Sequence, residues 1–554
     1  MKLTVADYLI SKLKENDCHH VFGIPGTSCS GFFNAVEEAS DFEYILTSNE
    51  LEAGYMADGY GRQNTIGAVC VSYGVGILSL TNAVASALTE RVPMVVLNGG
   101  PRASDWDFED KYGVLFSHST GRRNTDFNVM SELCVAAELL TDPSDYQSQI
   151  DGAFDAAVTD CGPVYIELAQ DQWSEKIEIS ARPHDISVTS STSDDFVARL
   201  GEALKSAKKP VVMLGTELQR LGLEEQISEW LAGHNLPYVT TLLSKANVLS
   251  ESHPQYRGVY DSDLAPKLVR TLVEDADLVL ALGIVFGIDH KYMLDKQTKN
   301  VYSIGFGIGR IGAERFEGVS TKYVVNNLPS DRIYSQSGIR SDYQAKRKKI
   351  SDRNNRATPE FGFASIFGEI NRSISDSTST LVVTVDTCLA SYPAADLDIP
   401  AGSRYLSNPV WLAIGQGTPA GTGAYFASGH RPLIITGDGG FQMVAQTIST
   451  MVRYKVPAII IVLDNGTYAI EQFLIDGSYF TDDSPPLDYT VLHSWRYGML
   501  AQSMGAKGVE VDSNETFRQA LTKAVASSDT WLISAKLLPN DLPRENWIWL
   551  EERS

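Results

Sequence analysis

Two short apolar runs separated by one helical stretch constrain this chain more than any other feature. Leu433-Ile434-Ile435 breaks sharply into Thr436-Gly437-Asp438-Gly439-Gly440. Beyond it, Val444, Ile448, Met451 and Val452 recur at the three- and four-residue spacing of one buried helical face. Pro457 punctuates, and a second run, Ala458 to Leu463, ends at Asp464-Asn465-Gly466-Thr467. The pattern predicts a strand–helix–strand unit. Such crossovers are right-handed, so the two strands lie parallel with their carboxyl ends on one sheet edge. Asp438 and Asn465, distant in sequence, then end neighbouring strands, where their side-chain oxygens can converge.

Magnesium takes hard oxygen ligands in a near-octahedral array and usually shares them with phosphate. Gly437, Gly439 and Gly440 allow close approach of backbone to a phosphate at a helix start, where free N–H groups favour anions. Asp-Gly alone is common in turns. Asp-Gly followed by a helix, a strand and an Asn is far more specific.

The stretch resembles the diphosphate- and metal-binding signature of thiamine diphosphate enzymes, a GDG followed one helix and one strand later by an Asn pair. Tyr468-Ala469-Ile470-Glu471 resembles the branch that contains pyruvate and indolepyruvate decarboxylases. The resemblance implies that Asp438, Asn465 and the main-chain oxygen of Thr467 hold magnesium. It also implies that Gly437, Gly439, Gly440, Gly466, Tyr468, Ala469 and Ile470 contact the cofactor. Two departures stand out: Asp464 replaces the first Asn of the pair, and the Gly466-Thr467 order is inverted.

With 554 residues the chain is too long for one core, and size fits about three or four domains. A formal charge of −23 argues against nucleic acid and anionic membranes as partners, since both need a positive surface. Six cysteines are scattered without C-x-x-C or metal spacing, which predicts buried free thiols in a reducing compartment. No signal-peptide core and no apolar run long enough to span a bilayer is evident, so a cytoplasmic protein is expected.

The first region, to about Asp171, alternates helix and strand patterns, implying a parallel sheet covered on both faces. Thr4 is a candidate N-cap for a helix carrying Ala6, Leu9 and Leu13. Glu50 stands where the strand Tyr44-Ile45-Leu46-Thr47 gives way to a helix, and ligands of such sheets bind beyond the carboxyl ends of strands. Taken alone, Glu50 is a helix-start acid favoured by the dipole. The run Asn49-Glu50-Leu51-Glu52-Ala53-Gly54-Tyr55-Met56-Ala57-Asp58-Gly59-Tyr60, however, resembles the decarboxylase branch. The resemblance implies that Glu50 pairs with a pyrimidine ring nitrogen of the cofactor and drives its tautomerisation. Glu52 reads as a surface charge.

Decarboxylases of this branch carry an acid just after the Pro-Gly turn, where this chain has Thr27, and a His-His pair in a later loop. Here that loop reads Leu115-Phe116-Ser117-His118-Ser119-Thr120-Gly121, so His118 resembles the second imidazole alone. Arg122 and Arg123 read as exposed.

From about Gln172 to Asp194, Ser, Thr, Asp and Pro dominate, as in a linker. The second region, about 195 to 335, alternates again. Leu242 to Tyr260 resembles the family's middle domain. Gly305, Gly307 and Gly309 form a cluster without the full dinucleotide fingerprint, so a structural role is expected. A charged connector, Asp342 to Asp352, leads into the third region. There Leu381 to Thr387 reads as a strand and turn, and Asn408-Pro409-Val410-Trp411-Leu412-Ala413-Ile414-Gly415 resembles the segment that grips the aminopyrimidine. The resemblance makes Ile414 the wedge that bends the cofactor and the Leu412 carbonyl an acceptor for its amino group, with Thr387 and Ala413 alongside. Ordinary core roles for these residues remain open.

The expected fold is therefore α/β, with three doubly wound parallel-sheet domains: pyrimidine-binding at 1–171, central Rossmann-like at 195–335 and diphosphate-binding at 355–554. The resemblance implies non-oxidative decarboxylation of a 2-oxo acid, with thiamine diphosphate and magnesium as cofactors and Glu50, His118 and Glu471 as the catalytic set. Glu471 would need burial to raise its pKa beside a diphosphate. The alternative is a carboligase or lyase that forms or cleaves 2-hydroxyketones, and a non-catalytic homologue is the third reading. A homodimer or homotetramer with its active site at the subunit interface is implied. The apolar tail Asn546-Trp547-Ile548-Trp549-Leu550 would dock over a site or an interface.

Overall fold

Three large sheets, each built mainly of parallel strands between helices, carry the fold. A computed structural model describes residues 2–63, 65–180, 191–329, 333–334, 359–377, 379–482 and 484–553. Two units divide the chain: one takes Met1–Ile186, Thr418–Pro432 and Val444–Val456, the other Ser187–Gly417, Leu433–Met443 and Pro457–Ser554.

In the first unit the strand order is Glu43–Leu46, His20–Gly23, Gly67–Ser72, Met94–Gly100, Pro163–Ala169, Ala136–Leu140, all parallel. The inner strands are buried along nearly their whole length, as expected of a sheet covered on both faces. Thr4 caps the helix Val5–Glu15 by accepting the Asp7 amide. The helix Glu50–Gly61 is buried on all sides after its first turn, because a second helix, Gly417–Ser428, lies directly on it. A Cβ at Gly59 would fall 2.0 Å from the Ala420 carbonyl oxygen, and one at Gly423 would fall 1.9 Å from that of Met56. Those two glycines let the backbones touch.

Part of the expected linker is ordered. Lys176–Glu178 pairs antiparallel with Lys2–Thr4, and the next helix already starts at Ser191. Within that stretch, Lys176–Glu178 is an exposed edge strand. Residues 181–190 and the expected connector 342–352 lie outside the described residues.

The second unit holds two sheets. One runs Tyr256–Val259, Tyr238–Thr240, Pro210–Leu214, Leu278–Leu282, Val301–Gly305 in parallel, then adds Ile308–Ile311 and Glu314–Glu317 antiparallel. The glycine cluster accounts for this extension. Gly307, at φ +79°, makes the tight turn, and Gly309 passes against Phe196, where a Cβ would fall 2.9 Å from the ring. The other sheet runs Arg404–Ser407, Leu381–Val385, Arg431–Gly437, Ile459–Asp464, Trp531–Lys536, Lys507–Val511. Segment 242–251 ties the two together: Asn247 Nδ2 donates to the Tyr405 carbonyl at 2.7 Å and Lys245 Nζ to that of Leu397 at 2.9 Å.

The single helix expected after Asp438 is two, Asp438–Val444 and Thr447–Arg453, and the break falls where the chain passes from one unit to the other. Val444, Ile448 and Met451 are buried as the spacing predicts. All six cysteines are free, and Cys18, Cys29, Cys70 and Cys161 are buried. Among the described residues no helix is long and apolar enough to cross a membrane.

Candidate functional site

Arg431–Gly437 and Ile459–Asp464 lie side by side and parallel, Gly437 level with Leu463, so Asp438 and Asn465 emerge from adjacent strand ends. Asp438 Oδ1 accepts its neighbour's amide, Gly439 N, at 2.8 Å, and Oδ2 accepts Gly466 N at 2.7 Å across the gap. The carboxyl is 3% exposed. Burial pushes its pKa up to about 6, with the backbone donors pulling the other way. Gly466 sits at φ +71°, which a side chain would strain. The following turn is held from outside, by Leu492 N donating to Gly466 O at 2.9 Å and Tyr468 N to Thr490 O at 2.8 Å.

Asp386, which motif reading passed over, organises the wall behind. It caps the end of the strand Leu381–Val385 and is 1% exposed. Its carboxylate accepts Thr436 Oγ1 at 2.8 Å and the amides of Thr387 and Gly415 at 3.0 Å and of Gly417 at 3.3 Å. Burial raises its pKa to about 6 and these donors oppose that. A Cβ at Gly440 would meet Asp386 Oδ2 at 2.7 Å, and one at Gly439 would meet the Tyr468 ring at 2.4 Å. The second and third glycines of the signature are therefore also demanded by protein packing. An Asp closing a strand before a small-residue turn was the available signal.

The loop 408–415 folds back on itself. Asn408, buried, accepts the Ala413 amide at 2.7 Å with its side chain and the Leu412 amide at 3.2 Å with its carbonyl. Leu412 takes φ +61°, uncommon for a branched residue and typical of a constrained functional turn. Its side chain is 52% exposed.

A cavity of about 260 Å³ opens at this strand edge. Of the residues singled out from sequence, Thr387, Ile414, Gly437, Asp438, Gly439, Gly440, Asn465, Thr467, Tyr468, Ala469, Ile470 and Glu471 all line it, whereas Leu412, Ala413 and Gly466 do not. Thr467 Oγ1 is buried there without a partner among the described residues. Among the described residues no three His, Cys, Asp or Glu side chains converge on a metal position. A cation at this edge would thus combine one carboxylate with amide, hydroxyl and main-chain oxygens, a set suited to magnesium completed by phosphate. The residues fit a diphosphate with its metal.

Asp464, the departure from the Asn pair, turns away from the cavity. It accepts Ser534 Oγ at 3.2 Å and pairs with Lys536 on the adjoining strand. That position fastens the sheet. Glu471, in the first turn of the helix Ala469–Ile475, is exposed at the cavity, so the burial expected of it is absent within this unit. The apolar tail packs on the unit's own core: Trp549 lies against Phe473 of the Glu471 helix, ring centroids 5.1 Å apart.

Glu50 and His118 belong to the first unit. Glu50 is half-buried at the start of its helix, behind the capping Asn49, with Gly76 leaving space beside it: a Cβ there would lie 3.6 Å from Oε1. Glu52 corrects the sequence reading. It is fully buried, accepting Thr450 Oγ1 at 2.7 Å and Ser48 N at 2.9 Å. The helix Thr447–Arg453 covers it, which the local sequence around Glu52 could not reveal. His118 takes φ +66° and stands edge-on to Tyr73 at 5.6 Å. Arg122 and Arg123 are exposed as expected, Arg123 pairing with Asp110.

Family models match this chain at residues 3–120 (thiamine pyrophosphate enzyme, N-terminal TPP binding domain), 197–304 (central domain) and 387–535 (C-terminal TPP binding domain). Three curated relatives match along nearly their whole length. The chain is 26% identical to indole-3-pyruvate decarboxylase of Azospirillum brasilense, covering 97% of this chain and 96% of the relative. It is 25% identical to pyruvate decarboxylase isozyme 3 of Saccharomyces cerevisiae (92% and 90%). Against alpha-keto-acid decarboxylase of Mycobacterium avium the identity is 26% (98% and 95%).

Proposed function

The chain belongs to the thiamine pyrophosphate enzyme family, and on that premise we propose that it decarboxylates a 2-oxo acid to an aldehyde with thiamine diphosphate and magnesium. The observation that carries this reading is the convergence of Asp438, Asn465, Thr467, Ile414 and Glu471 on one cavity at a strand edge. The names of the relatives, all decarboxylases of 2-oxo acids, support the reaction class.

When bound, the cofactor supplies a nucleophilic carbon and an electron sink. The protein's part is to bind, bend and manage protons. Asp438 and Asn465 side-chain oxygens and the Thr467 main-chain oxygen would hold magnesium, and Gly437, Gly439, Gly440 and Gly466 would leave room for the diphosphate. Ile414 would be the stiff branched wedge that bends the cofactor, with Thr387, Leu412, Ala413, Tyr468, Ala469 and Ile470 as further cofactor-binding residues. Glu50 would be the acid that pairs with the aminopyrimidine, and His118 and Glu471 would handle protons at the substrate. We read the chain as three domains, 1–171, 195–335 and 355–554, in a cytoplasmic homodimer or homotetramer whose active site lies at the subunit interface.

Thr27 and Ser117 favour a second reading, a carboligase or lyase of 2-hydroxyketones, because both replace protonatable groups of the decarboxylase branch. One assay separates the two. The protein is incubated with thiamine diphosphate, magnesium and a panel of 2-oxo acids, and carbon dioxide, free aldehyde and hydroxyketone are followed. Aldehyde release supports decarboxylation; ketol with little free aldehyde overturns it in favour of the second reading.

A further inference from the structure

Segment 487–493 runs as a strap along the outside of the turn that follows Asn465. Its main chain pairs with that turn: Tyr468 N donates to Thr490 O at 2.8 Å and Leu492 N to Gly466 O at 2.9 Å, with an antiparallel bridge between Thr467 and Val491. Apart from Thr490, no side chain of the strap is fully buried, and Tyr489 and Val491 are 70% and 50% exposed. Apolar burial scales with the area removed from water, so it contributes little here and hydrogen bonds must hold the strap in place.

Both ends of the strap are tied by glutamine side chains, one from the helix that follows Asn465 and one from the helix that begins at Asp438. Gln472, on Ala469–Ile475, is fully buried. Its Oε1 accepts Leu487 N at 2.9 Å and stands 3.1 Å from the Thr490 hydroxyl, while its Nε2 donates to Asp476 O at 2.8 Å. The amide thus meets donors with its oxygen and an acceptor with its nitrogen, which fixes its orientation. At the other end Gln442, on Asp438–Val444, donates from Nε2 to His493 O at 3.0 Å and to the Tyr497 hydroxyl at 2.8 Å.

The strap's grip reaches the cavity through Gly466 and Thr467. Gly466 offers its carbonyl to Leu492 and its amide to Asp438 Oδ2, the latter at 2.7 Å. Thr467 N donates to Asn465 Oδ1 at 3.2 Å. The Asp438 and Asn465 side-chain oxygens are therefore both aimed by amides of one turn, and the strap clamps that turn. Gln472 also neighbours Glu471. Successive helical residues point about 100° apart, so anchoring Gln472 in the interior sets the direction in which Glu471 meets the cavity.

We propose that Gln472 and Gln442 are positioning residues: by bracing segment 487–493 at both ends, they hold the turn at 466–467 in the geometry that lets Asp438 and Asn465 take up magnesium with the diphosphate. Neither glutamine lines the cavity, so each acts through the strap and not by touching the cofactor. The effect on cofactor binding rests on the magnesium and diphosphate reading of this strand edge, but the brace itself does not.

Hydrogen exchange of the full-length protein without cofactor reads the brace. The amides of Tyr468 and Leu492 should be protected in the wild type and exchange about tenfold faster or more in Q472M and in Q442M, while the core strand Ile459–Asp464 keeps its protection. Unchanged exchange at both amides, or equal acceleration along the core strand, overturns the brace. Calorimetric titration with thiamine diphosphate and magnesium reads its consequence. Each variant should bind ~10–100-fold more weakly, as loss of an outer partner of a metal ligand does, and excess magnesium should recover the binding. Wild-type affinity in variants whose two amides exchange faster overturns the positioning role. If Q472M fails to fold, Q442M, altered at a partly exposed side chain, decides both parts. A wild type that binds no cofactor at any magnesium concentration overturns the magnesium and diphosphate reading, and the positioning role with it, while the exchange result still decides the brace.

Discussion

Asp438 Oδ2 accepts the amide of Gly466 at 2.7 Å, joining the end of one strand to the turn after its neighbour. With Gly439 N on Oδ1, both oxygens are oriented before any ligand arrives, and each keeps a lone pair for a cation. D438N keeps the shape but loses the charge. Magnesium-dependent binding of thiamine diphosphate, measured by calorimetry, should weaken by more than the ~10–100-fold that even outer partners of a metal ligand cost. Unchanged affinity would exclude Asp438 as the ligand.

Proton competition follows from the same carboxyl. Asp438 sits at about 6 when folded and metal-free, above the ordinary aspartate value of 3.8, because burial disfavours its charge. Magnesium needs the ionised form, so cofactor affinity should be flat above about pH 6 and fall roughly tenfold per pH unit below it. Without metal the sign for stability is opposite. A raised folded pKa contributes stability that is complete below 3.8 and is lost as pH rises through about 6. Asp386, also at about 6, adds to the same loss. Thermal melts of the metal-free protein between pH 4 and 7 check the direction.

Asp386 touches no proposed metal position, yet its removal should be severe. D386A removes the acceptor of the Thr387, Gly415 and Gly417 amides and leaves Thr436 Oγ1 only its contact with the Gly437 carbonyl at 3.1 Å. At about 1–3 kcal/mol for each buried group left unpaired, several kcal/mol of stability are at stake. Denaturant unfolding should show the loss, with D386N milder.

Glu52 and Glu50, two residues apart, should separate cleanly. E52A leaves Thr450 Oγ1 and Ser48 N without an acceptor and should cost about 1–3 kcal/mol in denaturant unfolding. Its effect on cofactor affinity at saturating folded protein should be small.

What could be read in the sequence was whatever local chemistry dictates. The strand–helix–strand around Asp438, the Thr4 cap and the free cysteines followed from spacing, capping and composition, and the cavity gathers twelve of the positions singled out in advance. The misses are long-range contacts. Glu52 looks like a surface acid until the helix Thr447–Arg453 covers it, and Asp464 looks like a damaged ligand until Lys536 pairs with it. Asp386 carries no motif; its importance comes from four donors that converge only in the fold. Lys176–Glu178 reads as linker because one exposed antiparallel pair has no periodicity to detect.

The central claim is that Glu50 activates thiamine diphosphate held by the Asp438 edge, and isotope exchange at the thiazolium C2 position tests it most directly. The wild-type protein, loaded with cofactor and magnesium in deuterated buffer, should exchange that proton far faster than free cofactor. E50Q should bind the cofactor but exchange it orders of magnitude more slowly. Equal exchange rates in the two proteins would contradict the account.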